Sequence, residues 1–106
     1  MQQWTPSEAV ARAADDADFL LIDVREAEEF AFCRLPGAQL FPLSEMNRWE
    51  AELADSDRPL LIYCHHGVRS ARVCSRLAAL GPVQAINLAG GIDRWSLEVD
   101  DSIPRY

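Results

Sequence analysis

The chain has 106 residues, of which 49% are hydrophobic and 25% charged, and its formal net charge is -7. This length suits one domain, and the residue balance is that of an ordinary globular protein. All ten basic residues are arginine. Binding to nucleic acid or to anionic membranes is disfavoured, because an acidic chain repels the phosphate groups that drive it. We therefore predict a single domain over residues 1–106 with neither as a partner.

Cysteine usage and the first residues bear on the cellular compartment. Cys33, Cys64 and Cys74 form an odd set without a C-x-x-C pair, which favours neither a disulfide framework nor a zinc ribbon. The N-terminal stretch lacks the charged and apolar regions of a signal peptide. No apolar run approaches the roughly 20 residues that cross a bilayer. We expect a cytoplasmic protein.

A capping-box pattern opens the first predicted helix. Thr5 is followed by Pro6 and, three residues after the cap, by Glu8, so a helix is predicted from here to about Ala14, with an acidic run at 15–18 ending it. The later elements are predicted from apolar runs, helical spacing and turn residues. They are a strand at Phe19–Val24, a helix at Glu26–Phe32, a turn at Cys33–Ala38, a strand at Gln39–Phe41, a helix at Glu45–Ala54 capped by Ser44, a strand at Leu60–Tyr63, a helix that Gly81-Pro82 stops, a strand at Val83–Leu88 and a helix at Ile92–Val99.

Strands that alternate with helices predict an α/β domain with a mostly parallel sheet. In such a sheet the carboxyl ends of the strands share one edge, and the loops there carry the functional site. Asp23, Cys64 and Gly90 each lie at or just after the end of a predicted strand. We expect all three at that edge.

Cys64 stands at the end of a buried strand, followed by a short loop and a helix. A helix start offers unpaired N–H groups and a positive dipole end, and a nearby guanidinium adds to the stabilisation of a thiolate. Gly67 allows successive N–H groups to turn towards the sulfur as a nest for an anion. Arg69 is either a solvated arginine or the partner of an anion, since its charge opposes the helix dipole. We predict that Cys64 is a nucleophile.

Other candidate side chains allow plainer interpretations. Cys74 lies on an apolar helix face and is assigned to packing, and Cys33 is favoured as structural, with a resolving-thiol role left as a hypothesis. Arg69, Arg72 and Arg76 share one helix sector, either a solvated face or an attractor of anionic partners. Trp49 and Trp95 are assigned to the core or to a pocket wall.

The polar residues around the loop also carry alternatives. His65 and His66 are interpreted as shaping the loop mouth rather than binding a metal, because no carboxylate stands at ligand spacing beside them. Asp23 either orients the loop and the Arg25 region or caps the following segment. Arg25 is predicted to form an ion pair with an acidic residue of the following helix, at position 28 or 29.

The length of the Cys64 loop separates this chain from other cysteine enzymes. Arg69 follows Cys64 by five positions, whereas cysteine phosphatases and arsenate reductases of the C-x5-R type need one more loop residue, so we disfavour those activities. Four groups of segments form an ordered set of motifs: Asp23-Val24-Arg25-Glu26 with Glu29-Phe30, Leu35-Pro36-Gly37-Ala38 with Pro42-Leu43, Tyr63–Ser70, and Leu88–Ile92 with Trp95. This set resembles the motifs of the rhodanese (sulfurtransferase) family. The tail from Trp95 to Tyr106 resembles rhodanese modules found alone in bacteria or fused behind E1-like adenylyltransferases.

The resemblance implies a three-layer α/β/α fold with about five strands and a persulfide mechanism. The sequence itself shows no cofactor signature, and we expect no metal. Cys64 would take a sulfane sulfur from thiosulfate or another donor and pass it to cyanide or a thiol. The implied binding loop comprises His65, His66, Gly67, Val68, Arg69 and Ser70, with Asp23 and Arg25 in support. The alternative is a relay module that serves a sulfur-carrier or E1-like protein.

One segment departs from the family pattern. Where many relatives carry Gly-His before the Pro-Gly turn, this chain has Cys33-Arg34. A role held by that histidine elsewhere therefore does not transfer to this chain.

Overall fold

A computed structural model describes residues 1–15 and 17–106. Residue 16, part of the acidic run after the first helix, lies outside the described residues. The elements are β1 (Gln2–Trp4), α1 (Pro6–Ala14), β2 (Leu20–Asp23), α2 (Ala27–Phe32), β3 (Gln39–Leu40), a 3-10 turn (Leu43–Glu45), α3 (Met46–Ala54), β4 (Leu60–Tyr63), α4 (Val68–Leu80), β5 (Ala85–Leu88) and α5 (Gly91–Glu98).

The five strands form one sheet in the order β1-β5-β4-β2-β3, and each pair of neighbours is parallel. The α/β prediction is confirmed, and "mostly parallel" becomes fully parallel for the described strands. The register aligns Asp23 with Tyr63 and Ile62 with Asn87. The carboxyl ends of β2, β4 and β5 therefore meet at one edge, where the loops containing Cys64 and Gly90 emerge.

The ends of the helices show where local sequence signals succeed and fail. Thr5 caps α1 in a complete capping box with Glu8, as predicted. The prediction that Ser44 caps α3 is wrong, because α3 begins at Met46 after a 3-10 turn. The Ser44 hydroxyl instead donates to the Glu26 carboxylate, and its N–H donates to the same group at 3.1 Å. A long-range partner thus replaced the local cap.

Apolar side chains fill the space on both faces of the sheet. All four residues of β4, Leu60–Tyr63, are buried, as predicted for a central strand. On one face α3 and α4 cover a core formed by Ile22, Val24, Trp49, Leu53, Leu60, Ile62, Val73, Cys74 and Leu77. On the other face α1 and α5 cover Trp4, Ala9, Leu35, Leu61, Tyr63, Ile86, Leu88 and Ile92. The sheet is therefore the middle layer of an α/β/α stack.

Within residues 1–15 and 17–106, none of the helices is both long and apolar enough to cross a membrane.

Candidate functional site

Cys64 lies at the carboxyl end of the central strand β4. Its residue surface is 1% exposed, so the sulfur is enclosed by the loop that follows it. Strand β4 pairs with β2 on one side and β5 on the other. Cys64 therefore sits where loops from three adjacent strands converge, the usual place for a site in a parallel sheet.

The loop turns back so that its own backbone surrounds the sulfur. Gly67 has a φ of +99°, a left-handed conformation that other residues rarely adopt. Its N–H donates to the Cys64 sulfur at 3.1 Å, and the N–H of Ser70 donates at 3.4 Å. The Ser70 hydroxyl oxygen lies 3.3 Å from the same sulfur. The predicted nest of N–H groups is present, and it favours negative charge on the sulfur or on an atom bound to it.

Helix α5 holds the loop from the other side. The N–H of Ile92 donates to the Cys64 carbonyl at 3.0 Å, and the N–H of Asp93 donates to the His65 carbonyl at 3.1 Å. A Cβ atom on Gly91 would overlap both carbonyl groups, so only glycine permits this approach. The N–H groups in the first turn of α5 have no partners within the helix, and they therefore donate to the loop and hold it in place.

Asn87 connects the loop to β5, and sequence reasoning missed it. Its side chain is buried; the Ser70 hydroxyl donates to its Oδ1 at 2.5 Å, and its Nδ2 donates to the Gly67 carbonyl at 3.2 Å. Nδ2 also lies 3.4 Å from the Gln3 side-chain oxygen. The available signal was a single amide in the otherwise apolar strand Ala85–Leu88, since buried polar groups need partners.

Asp23 and Arg25 form a fully buried ion pair beside the loop. The Arg25 Nη2 donates to Asp23 Oδ2 at 2.7 Å, and its Nε lies 3.0 Å and 3.1 Å from the two carboxylate oxygens. Both side chains are 0% exposed. The same guanidinium donates to the Cys33 carbonyl at 2.6 Å. The predicted ion pair of Arg25 with residue 28 or 29 is wrong, because the buried Asp23 is nearer in space.

The Arg69 guanidinium forms an ion pair with the Glu29 carboxylate. Its Nη1 and Nη2 donate to the two Glu29 carboxylate oxygens at 2.7 Å and 2.9 Å, a two-pronged contact. The anion that an arginine at this helix start requires therefore comes from the chain itself. The hydrogen bond from Arg69 is the main reason that the pKa of Glu29 falls to about 2. The same contact raises the pKa of Arg69.

Tyr106 packs against His65 of the loop, another contact that sequence reasoning missed. Its ring stacks on His65 with centroids 3.8 Å apart and planes 4° apart, and His66 stacks on the other face of His65 at 3.8 Å. Its hydroxyl accepts from Arg25 at 2.8 Å and donates to Glu29 at 2.6 Å. Burial, with the nearby charge of His66, lowers the pKa of His65.

A carboxylate does stand beside the histidines, contrary to the expectation from sequence. Asp93 Oδ2 lies 4.0 Å from His66 Nε2, and atoms of His65, His66 and Asp93 that could ligate a metal lie within 4.8 Å of one another. Arg105 already donates to this carboxylate at 2.9 Å and 3.4 Å. The two imidazole planes are only 28° apart, so their lone pairs point along separate planes rather than to one point. The arrangement suits an aromatic stack with an ion pair beside it.

The comparisons with known proteins agree with this geometry. A family model described as rhodanese-like domain matches residues 5–98. The chain belongs to the rhodanese-like domain family.

Relatives and solved structures share this domain. A protein named sulfurtransferase from Allochromatium vinosum is 36% identical over 80% of this chain and 78% of its own length. A probable adenylyltransferase/sulfurtransferase MoeZ from Mycobacterium tuberculosis is 38% identical over 81% of this chain and 22% of its own length. The crystal structure of a rhodanese-like domain protein from Staphylococcus aureus has a TM-score of 0.83 at 28% identity, over 100% of this chain and 99% of that one. The chain spans only 30%, 59% and 21% of the lengths of three other curated relatives.

Within this rhodanese-like domain the remaining predicted residues occupy separate places. Val68 is 62% exposed at the loop mouth. Arg72 is exposed, and Arg76 pairs with Glu50 at 3.1 Å, so the arginine stripe does not converge on Cys64. The loop segment Cys64–Ser70 is thus brought together with Asp23 and Arg25, while the rest of the stripe points elsewhere.

The other two thiols of the rhodanese-like domain are buried and free. Cys33 belongs to the apolar cluster on one face of the sheet, whereas Cys64 belongs to the cluster on the opposite face. The Cys33 sulfur lies 3.7 Å from the Pro104 carbonyl, which favours the structural interpretation over a resolving thiol. Burial raises the pKa of Cys74 to about 12, so its thiol is neutral near pH 7.

Proposed function

We propose that this chain, as a single rhodanese-like domain over residues 1–106, is a sulfurtransferase that carries sulfur as a persulfide on Cys64. The donor is thiosulfate or another sulfane compound, the acceptor is cyanide or a thiol, and the setting is the cytoplasm. Membership of the family and a relative named sulfurtransferase support a sulfur-transfer role in general. The observation that carries the proposal is the convergence of the Gly67 and Ser70 N–H groups on the Cys64 sulfur.

The chemistry has two balanced steps. The Cys64 thiolate attacks the outer sulfur of thiosulfate, a new S–S bond forms, and the old S–S bond breaks with its electron pair leaving on sulfite. An acceptor thiolate or cyanide then attacks the terminal sulfur, and the Cys64 S–S bond breaks to return the thiolate. The N–H groups of Gly67 and Ser70 would stabilise the anionic sulfur in each state, as donors do in an oxyanion hole.

The loop residues have distinct proposed roles. Gly67 provides the left-handed turn, Ser70 provides an N–H, and Arg69 holds the Glu29 carboxylate at the rim. His65, His66 and Val68 shape the mouth through which a donor or acceptor enters. The buried pair of Asp23 and Arg25 supports the loop from below through Tyr106 and Glu29.

A sulfur-relay role is the second candidate. In the Mycobacterium tuberculosis relative, whose name joins adenylyltransferase and sulfurtransferase, the matching region is 22% of the protein. The proposed partner of the present chain would be a sulfur-carrier or E1-like protein that supplies or accepts the persulfide sulfur. Faster exchange with a protein persulfide than with thiosulfate would favour this candidate.

Intact-mass measurement after incubation with thiosulfate tests the proposal. We expect wild-type protein and Cys74→Ser to gain the mass of one sulfur atom, and Cys64→Ser to gain none. Cyanide should remove the added mass and yield thiocyanate. An adduct on Cys64→Ser would sink the proposal, as would the absence of an adduct from wild type with every sulfane donor tried.

A further inference from the structure

The contact between Glu29 and Arg69 limits what the loop can bind. Each Glu29 oxygen accepts two hydrogen bonds: Oε1 from Arg69 and the Glu26 N–H, and Oε2 from Arg69 and the Tyr106 hydroxyl. The carboxylate is thus held by four donors from three other residues. With its pKa at about 2, chiefly because of Arg69, it stays ionised at any physiological pH.

The charge of Arg69 is therefore cancelled at the rim of the Cys64 loop. The Arg69 side chain is 32% exposed and that of Glu29 is 21% exposed, so both stand at the rim of the loop rather than under it. An incoming dianion would have to break a two-pronged ion pair or bind beside a fixed carboxylate. The formal net charge of -7 adds a long-range repulsion of the same sign.

A donor with a smaller negative charge is repelled less by Glu29 and does not need to break its ion pair with Arg69. The N–H groups of Gly67 and Ser70 on the Cys64 sulfur are not engaged by Glu29, so they serve any donor whose transferred sulfur reaches them. Alkyl persulfides and monoanionic thiosulfonates carry at most one negative charge near that sulfur. Thiosulfate carries two.

We propose that Glu29 is a specificity-determining residue that disfavours dianionic sulfane donors and directs the site to persulfides and other donors with at most one charge. This inference rests on the proposed function and deepens it, because it selects among the donors left open there. Glu29 acts on the donor through its charge and through the occupation of Arg69, and it takes no part in breaking bonds.

Two donors that differ by one charge test the inference. Thiosulfate and methanethiosulfonate both transfer a sulfane sulfur, and they release sulfite and methanesulfinate, respectively. The variant is Glu29→Gln, which removes the charge but keeps the size, with Glu29→Ala as a second variant should the amide bind Arg69 in a new way. Glu50→Gln is the matched control. Glu50 pairs with Arg76, which lies on the same helix as Arg69 but away from the loop.

We expect Glu29→Gln to raise the ratio of kcat/KM for thiosulfate to kcat/KM for methanethiosulfonate by about tenfold, as the loss of one nearby charge predicts at moderate screening. Glu50→Gln should leave the ratio within about twofold of wild type. An unchanged ratio, or an equal fall for both donors, would show that Glu29 only positions Arg69 and would overturn the inference.

Dianion binding without sulfur transfer provides an independent readout. Sulfate should protect Cys64 from alkylation by iodoacetamide, and Glu29→Gln should reach half-protection at about tenfold lower sulfate than wild type at constant ionic strength. If wild type accepts sulfur from neither donor, the proposed function fails, and the sulfate comparison still decides the role of Glu29. Equal protection of wild type and Glu29→Gln would contradict it.

Discussion

Ser70 and Asn87 are joined by a buried hydrogen bond of 2.5 Å from hydroxyl to amide oxygen, and this pair ties the Cys64 loop to strand β5. Because the single hydroxyl proton of Ser70 points to Asn87, the Ser70 oxygen is left to accept from the Cys64 thiol 3.3 Å away. The amide of Asn87 therefore affects both the position of the loop and the hydrogen bonding of the Cys64 sulfur.

Replacement of Asn87 should loosen the loop. Asn87→Ala removes the partners of the Ser70 hydroxyl and of the Gly67 carbonyl, and buried groups without partners are costly. We expect a loss of about 2–3 kcal/mol in the free energy of unfolding, measured with urea, and a changed rate of Cys64 alkylation. Gln84→Ala, which removes an exposed amide, should change neither quantity. Equal behaviour of the two variants would mean that Asn87 does not anchor the loop.

Alanine substitutions at Gly67 and Gly37 should distinguish the effect of a crowded Cβ atom from that of backbone strain. Gly67 and Gly37 both have a positive φ, at +99° and +81°. A Cβ on Gly67 would lie 3.2 Å from the Gly90 nitrogen, whereas a Cβ on Gly37 would meet nothing within 4 Å. Gly37→Ala should cost about 1 kcal/mol of stability, and Gly67→Ala clearly more.

Sulfur loading of the two glycine variants gives the functional readout. Gly67→Ala should load Cys64 more slowly, because the Gly67 N–H moves away from the sulfur, and Gly37→Ala should load it at the wild-type rate. Thermal unfolding and intact mass measure both effects. Wild-type loading by Gly67→Ala would refute the role of this N–H.

The buried ion pair of Asp23 and Arg25 should contribute far more to the free energy of unfolding than an exposed ion pair. Asp23→Asn leaves the Arg25 charge buried without its counter-charge, for which a loss of about 3–5 kcal/mol is expected. Asp18→Asn breaks the exposed contact with Arg58 and should cost less than about 1 kcal/mol. Chemical denaturation of both variants makes the comparison. A small effect of Asp23→Asn would indicate that water reaches Arg25.

Removal of the Tyr106 ring should raise the pKa of His65. This pKa is lowered mainly by burial, and Tyr106→Ala exposes one face of the imidazole. The pKa should move towards about 6.5, whereas Tyr106→Phe keeps the stack and the lowered value. A proton NMR titration of the histidine ring measures the change. Since a lowered pKa makes the folded state resist protonation, wild type should also lose more stability than Tyr106→Ala below about pH 6.5.

Glu29 should contribute to stability in a pH-dependent way. Its pKa falls from 4.5 to about 2 on folding, mainly through the hydrogen bond from Arg69. The contribution is therefore present above about pH 4.5 and is lost as the pH falls towards 2. Glu29→Gln should be less stable than wild type at pH 7, and the difference should shrink in acid. Parallel denaturation curves from pH 7 to pH 3 check this, and a constant difference would contradict it.

Local signals in the sequence determined much of this protein. The capping box at Thr5, the buried strand Leu60–Tyr63, the parallel α/β order and the nest at Gly67 were all predictable. Each depends on backbone geometry and contacts within a few residues, or on a period that apolar side chains repeat. The prediction that Cys64 is the nucleophile depends on the same kind of signal, since its strand, loop and helix are contiguous.

The tertiary structure alone decided which distant groups meet at the loop. Arg69 and Glu29 are 40 residues apart, Tyr106 and Glu29 are 77 apart, and Ser70 and Asn87 are 17 apart. Their contacts follow from the strand order, which places β5 beside β4, and from the contacts of Tyr106 in the tail with Phe32 and Glu29 of α2. The sequence supplies the charged groups and the amides, but only the packing of the folded chain determines which of them are in contact.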